Sequence, residues 1–566
     1  MIERVEVMRG GGSALFGSSA IAGTINIITK EPLRNSGQLS HTITSLGGSS
    51  SFDNNTSLNA SLVTDDHRAG LYIFGQNRYR SGYDYDGDGF TELPKLKNQT
   101  VGFRSYLKTS TYSKLTFEYH HMQEFRRGGD MLNRPPHEAH IAEQLQHSID
   151  GGSLKFDYFS PDEKNRLSVF ASAANTDRDS YYGPGNDPLK AYGKTTDLTA
   201  MGGAQYVHTF DKCFFMPSDL TAGLEYNRDR LKDNMWGYNR HTDQTVNIYS
   251  AFLQNEWKND RWGILIGGRL DKHNMVDNVI FSPRANLRFN PTQNINLRLS
   301  YSSGFRAPQA FDEDMHIENV GGTVAMIERA KDLKEEKSQS FSVSADMYHR
   351  FGAFQTNLLI EGFYTRLTDV FVLGKPYDRG DGILVKTRSN GPGAKVMGLT
   401  LEGKVAYLSI LQIQAGLTLQ RSRYDEPHKW HDDAPAEKKI FRTPDTYGYF
   451  TATCTPIKPL SIALSGTYTG RMLVQRMDIT AENAELGKMP ERKAEAIRTP
   501  RFFDLGVKLA YDFKLYKTVD LQLNGGVQNL FESYQKDFDR GANRDSGYIY
   551  GPSLPRSFFA GVKISY

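Results

Sequence analysis

Acidic side chains at alternate positions form the most distinctive chemical pattern in the sequence. Residues 84–92 read Asp-Tyr-Asp-Gly-Asp-Gly-Phe-Thr-Glu, and their carboxylate oxygens are hard ligands of the kind that Ca²⁺ prefers. The carboxylates in question belong to Asp84, Asp86, Asp88 and Glu92. A glycine at the sixth position matches the start of an EF-hand loop, but the twelfth position is Lys95 instead of a glutamate. The pattern predicts either a loop ordered by calcium or an acidic turn without metal.

Histidines are concentrated in one stretch of the chain. Five of the fourteen lie there: His120, His121, His137, His140 and His147. Pro135-Pro136 favours the start of a helix, which would bring His137 and His140 near one face. Their spacing differs from the H-E-x-x-H of a zinc protease. We therefore expect His137 and His140 either to contact a haem or metal chelate or to lie on a solvated loop helix.

Composition excludes several classes of protein. The 566 residues have a mean hydropathy of −0.54, and no stretch approaches the ~18 apolar residues that a membrane helix needs. Lys plus Arg number 68 against 65 Asp plus Glu, a balance that argues against nucleic-acid binding. Two cysteines, Cys213 and Cys454, make no disulfide framework, and whether they pair stays open. No convincing Ser/His/Asp grouping is present, so we do not expect an enzyme.

Alternating segments of about ten residues recur along the chain, as in membrane β-barrels. In Asn294–Ser302 the apolar Leu297 and Leu299 share one face, whereas Arg298 lies on the other. An arginine facing lipid at mid-bilayer would cost roughly 2–4 kcal/mol. Arg298 is therefore expected to face the lumen. The same alternation appears in Asp504–Phe513 and in the last ten residues, which end in the aromatic Tyr566.

Short and long connections alternate along the chain, as expected for short periplasmic turns and longer outer loops. Counting strands from Gly37 to Tyr566 gives 22. The predicted fold is all-β, a 22-stranded antiparallel transmembrane β-barrel. A soluble array of β-domains is the alternative, but it would not explain charged residues spaced along one face of each strand, nor the regular alternation of loop length.

The beginning of the chain does not have a barrel-strand pattern, and it carries a family resemblance. Residues 2–32, IERVEVMRGGGSALFGSSAIAGTINIITKEP, resemble the closing segment of the plug domain of TonB-dependent receptors. SPRANLRFNPTQNINLRLSYSSGFRAP (282–308), AKVMGLTLEG (394–403) and VQNLFESYQ (527–535) resemble barrel segments of the same family. The chain is identified as a member of this family, with residues 1–36 as the C-terminal part of a plug and 37–566 as the barrel.

The resemblance implies a function. Its members take up scarce ligands across the bacterial outer membrane with energy supplied through TonB, and metal chelates such as ferric siderophores, haem and cobalamin are the expected ligands. The implied partners are the TonB complex, a metal-chelate ligand, outer-membrane lipid and a surface lipoprotein. The segment that would contact TonB and a signal peptide are expected to lie outside this sequence. A passive or defective porin-like channel and a glycan importer are the alternatives.

The resemblance also assigns roles to residues. Glu3, Arg4, Glu6 and Arg9 match plug positions that pair with barrel carboxylates, and Glu402 is the expected partner. Arg306, in F-R-A-P, and His316 lie in a long outer loop like that of haem receptors, although the second motif of those receptors is matched only in part. The Asp-rich loop is similar to calcium loops of cobalamin receptors.

Overall fold

Long β-strands dominate the computed structural model, which describes residues 2–9, 12–21, 23–184, 191–320, 323–479, 492–542 and 544–566. Within these ranges, 22 strands close into one antiparallel barrel. Each pairs with the next barrel strand along the chain, and the last pairs with the first through Gln38–Ser565 to Ser45–Phe558. The predicted fold class is confirmed. Closure satisfies backbone N–H and C=O groups around the whole wall, as a bilayer requires.

The strands are numbered in chain order. The barrel wall consists of β3 Ser36–Ser45, β4 Phe52–Val63, β5 Ala69–Arg80, β6 Lys95–Ser110, β7 Ser113–Gly129, β8 Ile141–Phe159, β9 Asn165–Pro184, β10 Tyr192–Cys213, β11 Met216–Met235, β12 Arg240–Lys258, β13 Trp262–His273, β14 Ile280–Thr292, β15 Ile295–Arg306, β18 Glu336–Phe351, β19 Phe354–Thr368, β23 Ala394–Tyr407, β24 Leu411–His428, β26 Thr446–Ile457, β27 Leu460–Thr469, β30 Phe502–Tyr516, β31 Val519–Gln528 and β32 Ser557–Ser565.

Smaller elements lie at the N-terminus and in the loops. The strands outside the closed wall are β1 Ile2–Arg9, β2 Gly23–Thr29, β16 Glu318–Val320, β17 Thr323–Arg329, β20 Phe371–Leu373, β21 Tyr377–Asp378, β22 Leu384–Asn390, β25 Glu437–Lys439, β28 Leu473–Ile479 and β29 Arg492–Arg498. The helices are α1 Ser13–Phe16 and α2 Asp312–Met315, with 3₁₀ turns at Leu46–Gly48, Pro136–Glu138 and Trp236–Tyr238. None of the described helices has the length and apolar character needed to cross a bilayer.

The two faces of the wall differ in polarity. Leu297 and Leu299 are 38% and 53% exposed on the outside of β15. Between them, Arg298 lines a cavity in the lumen together with Val5 and Val7 of the N-terminal segment. The predicted phase of this strand is therefore confirmed. Both cysteines are free.

The connections alternate as predicted. Turns such as 111–112 and 293–294 lie at one end of the barrel, together with both ends of the wall, where the Gly37 N–H donates to the Tyr566 carbonyl over 3.1 Å. Loops such as 307–335 and 369–393 lie at the other end. That second end is called the mouth.

The N-terminal segment forms a hairpin inside the barrel. β1 and β2 pair antiparallel, with Val7 opposite Ile25, and α1 lies between them. The Phe305 N–H donates to Ser13 Oγ at 3.1 Å, and the Ser338 hydroxyl donates to the Ile21 carbonyl at 2.7 Å. Neutral hydrogen bonds thus fix this segment against β15 and β18.

Gly304 lets the N-terminal segment approach the wall closely, and this predicts a stability effect. A Cβ at Gly304 would lie 2.6 Å from the Ala20 carbonyl oxygen and 3.0 Å from Ile21 Cα. We expect Gly304→Ala to lower the free energy of unfolding by about 1–3 kcal/mol, because this overpacking forces backbone to shift. Gly403→Ala is the control, since a Cβ there meets nothing within 4 Å. Urea unfolding in detergent measures both, and equal losses would contradict the prediction.

Candidate ligand site at the barrel mouth

Two long loops fold over the mouth as a small sheet. β17 from loop 307–335 pairs in parallel with β22 from loop 369–393, and β16, β20 and β21 complete the sheet. A buried apolar cluster joins this sheet to the wall. It consists of Ala139, Ala142, Tyr181, Tyr182, Ala191, Met235, Tyr238, Ile317, Met326 and Ile383. The loops are therefore anchored over the lumen by apolar packing, which holds the side chains at the mouth in place.

An aromatic pocket of about 300 Å³ opens beside this sheet. We call it the mouth pocket. Aromatic walls and basic side chains make up much of its lining, together with one carboxylate, Asp545: the aromatic residues are Phe371, Tyr424, Trp430 and Phe441, and the basic ones are Lys386, Arg442 and His428. The indole N–H of Trp430 is shielded from solvent and meets no acceptor among the described residues. Its ring meets Phe441 edge-on, with centroids 6.3 Å apart.

Neighbouring backbone groups position the basic side chains of the mouth pocket. Arg442 donates to the carbonyls of Ile549, at 2.8 Å, and Gly547, which ties the pocket to loop 529–556. Burial lowers the pKa of His428, against a smaller rise from its bond with the Leu373 backbone. A pocket of aromatic faces with Arg, Lys and an unused N–H donor suits a planar, anionic ligand.

A second cavity, of about 540 Å³, is lined by more basic than acidic side chains. We call it the basic groove. Its cations are Arg240, Arg329, Lys331 and Arg379, with His241 beside them. Asp314 and Glu328 are its acidic members. Because cations outnumber carboxylates, the groove attracts anions at the mouth.

Of the predicted ligand-binding residues, Arg306 lies nearest to the mouth pocket. Its guanidinium is 5.4 Å from the ring centre of Phe371, which lines the pocket, and 3.8 Å from that of Phe311. It also pairs with Glu313 at 2.6 Å. His316 packs edge-on against Tyr182, with centroids 5.3 Å apart. Arg306 is thus positioned by α2 rather than free to meet a ligand.

The predicted helix at Pro135-Pro136 is wrong. Pro136–Glu138 is a single 3₁₀ turn, and β8 begins at Ile141, so His147 lies in the barrel wall. Inter-strand pairing with β7 and β9 extends through this stretch and overrides the local helix signal. His137 contacts the Tyr192 hydroxyl at 2.9 Å, and His140 contacts Asp130 at 2.6 Å.

The predicted plug–barrel charges pair differently from the expectation. Arg4 pairs with Glu6 at 2.8 Å and with Glu3 at 3.4 Å. Glu402 accepts from Tyr449 at 2.7 Å and from Gln414 at 3.1 Å, both on the wall. Strand periodicity places Arg4 and Glu6 on one face, so Arg4 meets a carboxylate on its own strand first. The side chain of Arg9 lies outside the described residues.

Other ion pairs join the N-terminal segment to the wall. Glu31 accepts from Lys114 at 3.0 Å and from Arg104 at 3.3 Å. Arg269 reaches α1, because its Nη2 lies 3.1 Å from where a Cβ on Gly17 would stand. No sequence motif marks these residues. Only the register of β6, β7 and β13 places them against the segment.

The Asp-rich loop meets the last outer loop. One oxygen each from Asp84, Asp86 and Asp88 lies within 4.8 Å of the others. Arg540 donates to Asp86 at 3.1 Å and Arg544 donates to Asp88 at 2.6 Å, although more than 450 residues separate each pair. The carboxylates thus dock loop 81–94 on loop 529–556.

Glu92 lies apart from the three aspartates. Its side chain is 1% exposed and pairs with Arg544 at 3.1 Å. Burial raises the pKa of Glu92, against the Tyr85 N–H and Arg544, which lower it. Burial also raises the pKa of Asp88, but the Gly541 and Phe90 N–H groups together with Arg544 lower it below its ordinary value.

Removing Arg544 should loosen this docking. The guanidinium serves both Asp88 and Glu92 and lies 4.9 Å over the Phe90 ring. We expect Arg544→Met to cost about 1–3 kcal/mol locally, because Glu92 stays buried without its cation. Amide hydrogen exchange over 81–94 measures the loss. Arg540→Met, at a 68% exposed side chain, should cost less than about 1 kcal/mol; a reversed order would refute this docking.

Comparisons with known proteins agree with this architecture. The family described as "TonB dependent receptor-like, beta-barrel" matches residues 23–530. The siderophore receptor PirA from Acinetobacter baumannii is similar in fold, with a TM-score of 0.76 and 17% identity over 100% of this chain and 85% of that one. A variant of the ferric enterobactin receptor PfeA from Pseudomonas aeruginosa, in complex with enterobactin, has a TM-score of 0.75 and 17% identity over 100% and 86%.

A curated relative is more similar in sequence but is matched over less of its length. The iron-regulated outer membrane virulence protein of Vibrio cholerae serotype O1 is 26% identical over 322 residues. The match covers 54% of this chain and 45% of that protein, so less than half of the relative is represented. The family match, in contrast, extends over most of the chain and over nearly the whole barrel wall. The chain therefore belongs to the TonB-dependent receptor family, as a β-barrel of the bacterial outer membrane.

Proposed function

We propose that the protein is a receptor for active uptake of a ferric siderophore, with energy delivered through TonB. The mouth pocket carries this proposal, because aromatic faces, Lys386, Arg442 and the indole N–H of Trp430 converge on one small volume. Ferric siderophores that bind iron through aryl oxygens are planar at their rims and negatively charged. The structural neighbours are a siderophore receptor and a ferric enterobactin receptor, which supports the same ligand class.

Haem and cobalamin are the second candidates. Haem would need imidazole ligands, but His137, His140 and His316 each contact a different side chain: Tyr192, Asp130 and Tyr182. The Asp-rich loop is the one feature that favours cobalamin as the ligand. We therefore place the ferric siderophore first. A glycan would make no use of the positive charges of the mouth pocket, and a passive channel would leave the anchored mouth loops without a role.

The proposed receptor has several partners and no catalytic activity. The protein would contact outer-membrane lipid along its apolar wall and the TonB complex on the turn side. A surface lipoprotein could deliver ligand to the mouth loops. We propose that it moves its ligand chemically unchanged.

Calcium remains a proposal for the Asp-rich loop. The donor chemistry of Asp84, Asp86 and Asp88 fits Ca²⁺, whereas Glu92 faces Arg544 and would not join them. We expect calcium to slow hydrogen exchange over 81–94 by about tenfold in the wild type and not in Asp84→Asn. Asp84 is chosen because it accepts from the Gly87 and Gly89 N–H groups and does not pair with Arg540 or Arg544, so the substitution leaves the docking ion pairs in place. Magnesium is the control ion. Equal exchange with calcium and with chelator would end the idea.

Growth tests the function directly. The complete gene is placed in a strain that lacks its own receptors, with and without TonB, under iron limitation. We expect growth on ferric enterobactin or another ferric siderophore, and none without TonB. Growth on haem or cobalamin alone would replace the ligand class, and growth on an oligosaccharide alone would move the ligand to glycans. Ligand-independent conductance in liposomes would support the passive channel.

A further inference from the structure

Helix α2 is surrounded by arginines. It reads Asp-Glu-Asp-Met in loop 307–335, and each of its carboxylates pairs with at least one guanidinium. The pairs are Asp312–Arg178 at 2.8 Å, Glu313–Arg306 at 2.6 Å, Glu313–Arg388 at 2.8 Å and Asp314–Arg388 at 2.6 Å. Arg240 donates to the Met315 carbonyl at 2.9 Å. We call Arg178, Arg240, Arg306 and Arg388 the arginine cluster.

Three arginines of the cluster lie on the barrel wall and Arg388 lies on β22 of loop 369–393, whereas α2 lies in loop 307–335. Arg178, Arg240 and Arg306 lie on β9, β12 and β15 of the barrel wall. The side chains of Arg178, Arg240 and Arg388 are buried, with 8%, 9% and 7% exposed, whereas 23% of Arg306 is exposed. In contrast, 85% of the Asp312 side chain and 54% of Glu313 are exposed. Asp312 and Glu313 can therefore leave into solvent, whereas Asp314 is buried, with 6% of its side chain exposed. The wall also supplies a buried carboxylate, Asp233, which lies 2.9 Å from Arg240 and 3.8 Å from Arg178.

Some donors in and beside the cluster have no acceptor in the part of the chain that the structure describes. Arg240 Nε, Arg388 Nε and Gln244 Nε2 are buried and meet no acceptor among the described residues. Gln244 lies beside the cluster, because its Oε1 accepts from the Ala310 N–H at 2.8 Å. A buried donor without an acceptor costs about 1–3 kcal/mol. A polyanion with more oxygens than α2 would satisfy these groups better.

A ligand has a route to the cluster. Arg240 and Asp314 both line the basic groove, beside Arg329. An anion in the groove therefore meets one cluster arginine directly and lies next to the most buried carboxylate of α2. Its negative charge would repel Asp314 and compete for the same guanidinium groups.

We propose that the arginine cluster is an anion-binding site on the path of the ligand, and that α2 occupies it as an internal substitute until a polyanionic chelate displaces it. This rests on the proposed function for the identity of the ligand, but not for the existence of the site. Displacement of α2 releases residues 307–320 from the wall. Anion binding and opening of the mouth are thereby coupled.

Neutralising α2 tests the site. In the full chain in detergent, Asp312→Asn, Glu313→Gln and Asp314→Asn together keep the shape of α2 and remove its charge. Ferric enterobactin is the ligand probe and pyrophosphate is a polyanion unrelated to iron. We expect the triple variant to bind the probes at least about tenfold more tightly than the wild type, within the usual range of coupling between sites. Hydrogen exchange over 307–320 should be faster in the variant, and in the wild type with either anion.

A control variant and a fallback variant complete the test. Glu335→Gln removes a carboxylate from the same loop that pairs with Lys337 at 2.9 Å, outside the cluster, and should leave affinity unchanged. Glu313→Gln alone serves if the triple variant does not fold, because this side chain is half exposed and joins two arginines.

The outcomes separate the two proposals. Release of loop 307–320 by pyrophosphate without binding of any ferric chelate would support the site and refute the proposed ligand. Binding of ferric enterobactin with unchanged loop exchange, and with no tighter binding in the variants, would refute the site and leave the receptor function standing. Weaker binding in the variants would show that α2 supports the ligand site instead of competing for it, and would also overturn the inference.

Discussion

Replacing Arg269 with methionine is expected to lower the free energy of unfolding by about 3–5 kcal/mol. Arg269 Nε pairs with Asp271 at 2.8 Å and Nη1 pairs with Glu225 at 2.6 Å. The exposed fractions of these three side chains are 5%, 0% and 15%. Methionine would leave two carboxylates inside the barrel without their cation. The same residue contacts α1 at Gly17, so the N-terminal segment should loosen as well.

Urea unfolding in detergent, followed by the electrophoretic mobility of the folded barrel, measures this loss. Arg298→Met is the matched control, because Arg298 is exposed in the lumen and donates to Asn296, at 2.7 Å, on its own strand. It should cost less than about 1 kcal/mol. Adding Glu225→Gln and Asp271→Asn to Arg269→Met should restore part of the stability. Equal losses from the two arginine variants would show that the buried network is not what holds this part of the wall.

Replacing Trp430 with alanine should have the largest effect on ligand binding. Trp430 supplies both an aromatic face and the unused N–H donor of the mouth pocket. Truncation of such an aromatic anchor typically costs about 2–4 kcal/mol, which is roughly a 30- to 1,000-fold loss of affinity. Trp430→Phe keeps the ring and removes the donor, so we expect a loss of only about five- to tenfold.

Equilibrium binding of radiolabelled ferric siderophore to the purified receptor measures both variants. Trp262→Phe is the control, since this indole stacks on Phe289, with centroids 4.3 Å apart, at the turn end of the wall. Its affinity should equal that of the wild type. Unchanged binding by Trp430→Ala would remove the mouth pocket from the proposed function, whereas equal losses in the alanine and phenylalanine variants would assign the whole effect to the N–H donor.

Predictions made from local sequence signals were wrong where the folded chain provides more favourable interactions. Pro135-Pro136 favours a helix, but β8 gains a backbone hydrogen bond at nearly every residue by pairing with both neighbours. The expected contact between Arg4 and Glu402 requires knowledge of distances across the lumen. Arg4 instead finds Glu6 two residues away, at lower cost in side-chain order.

The mouth pocket could not be identified from the sequence, although one signal was present. Trp430 is one of only four tryptophans, and it lies in an outer loop near His428 and Arg442. No motif relates it to Phe371 or Asp545, which come from other loops. Likewise, the Asp-rich loop was visible as a cluster of carboxylates, but its partners Arg540 and Arg544 were not.

The sequence by itself determined the barrel and the phase of β15. Successive residues of a barrel strand face lipid and the polar lumen in turn. Apolar and polar side chains therefore alternate along each strand, as at Leu297, Arg298 and Leu299, and this local pattern is repeated in strand after strand. Only the tertiary structure decided which loops meet at the mouth, which arginines surround α2 and how the N-terminal segment is held. Those contacts join residues far apart in the chain, and polar loop residues form them through distance and geometry that no local periodicity encodes.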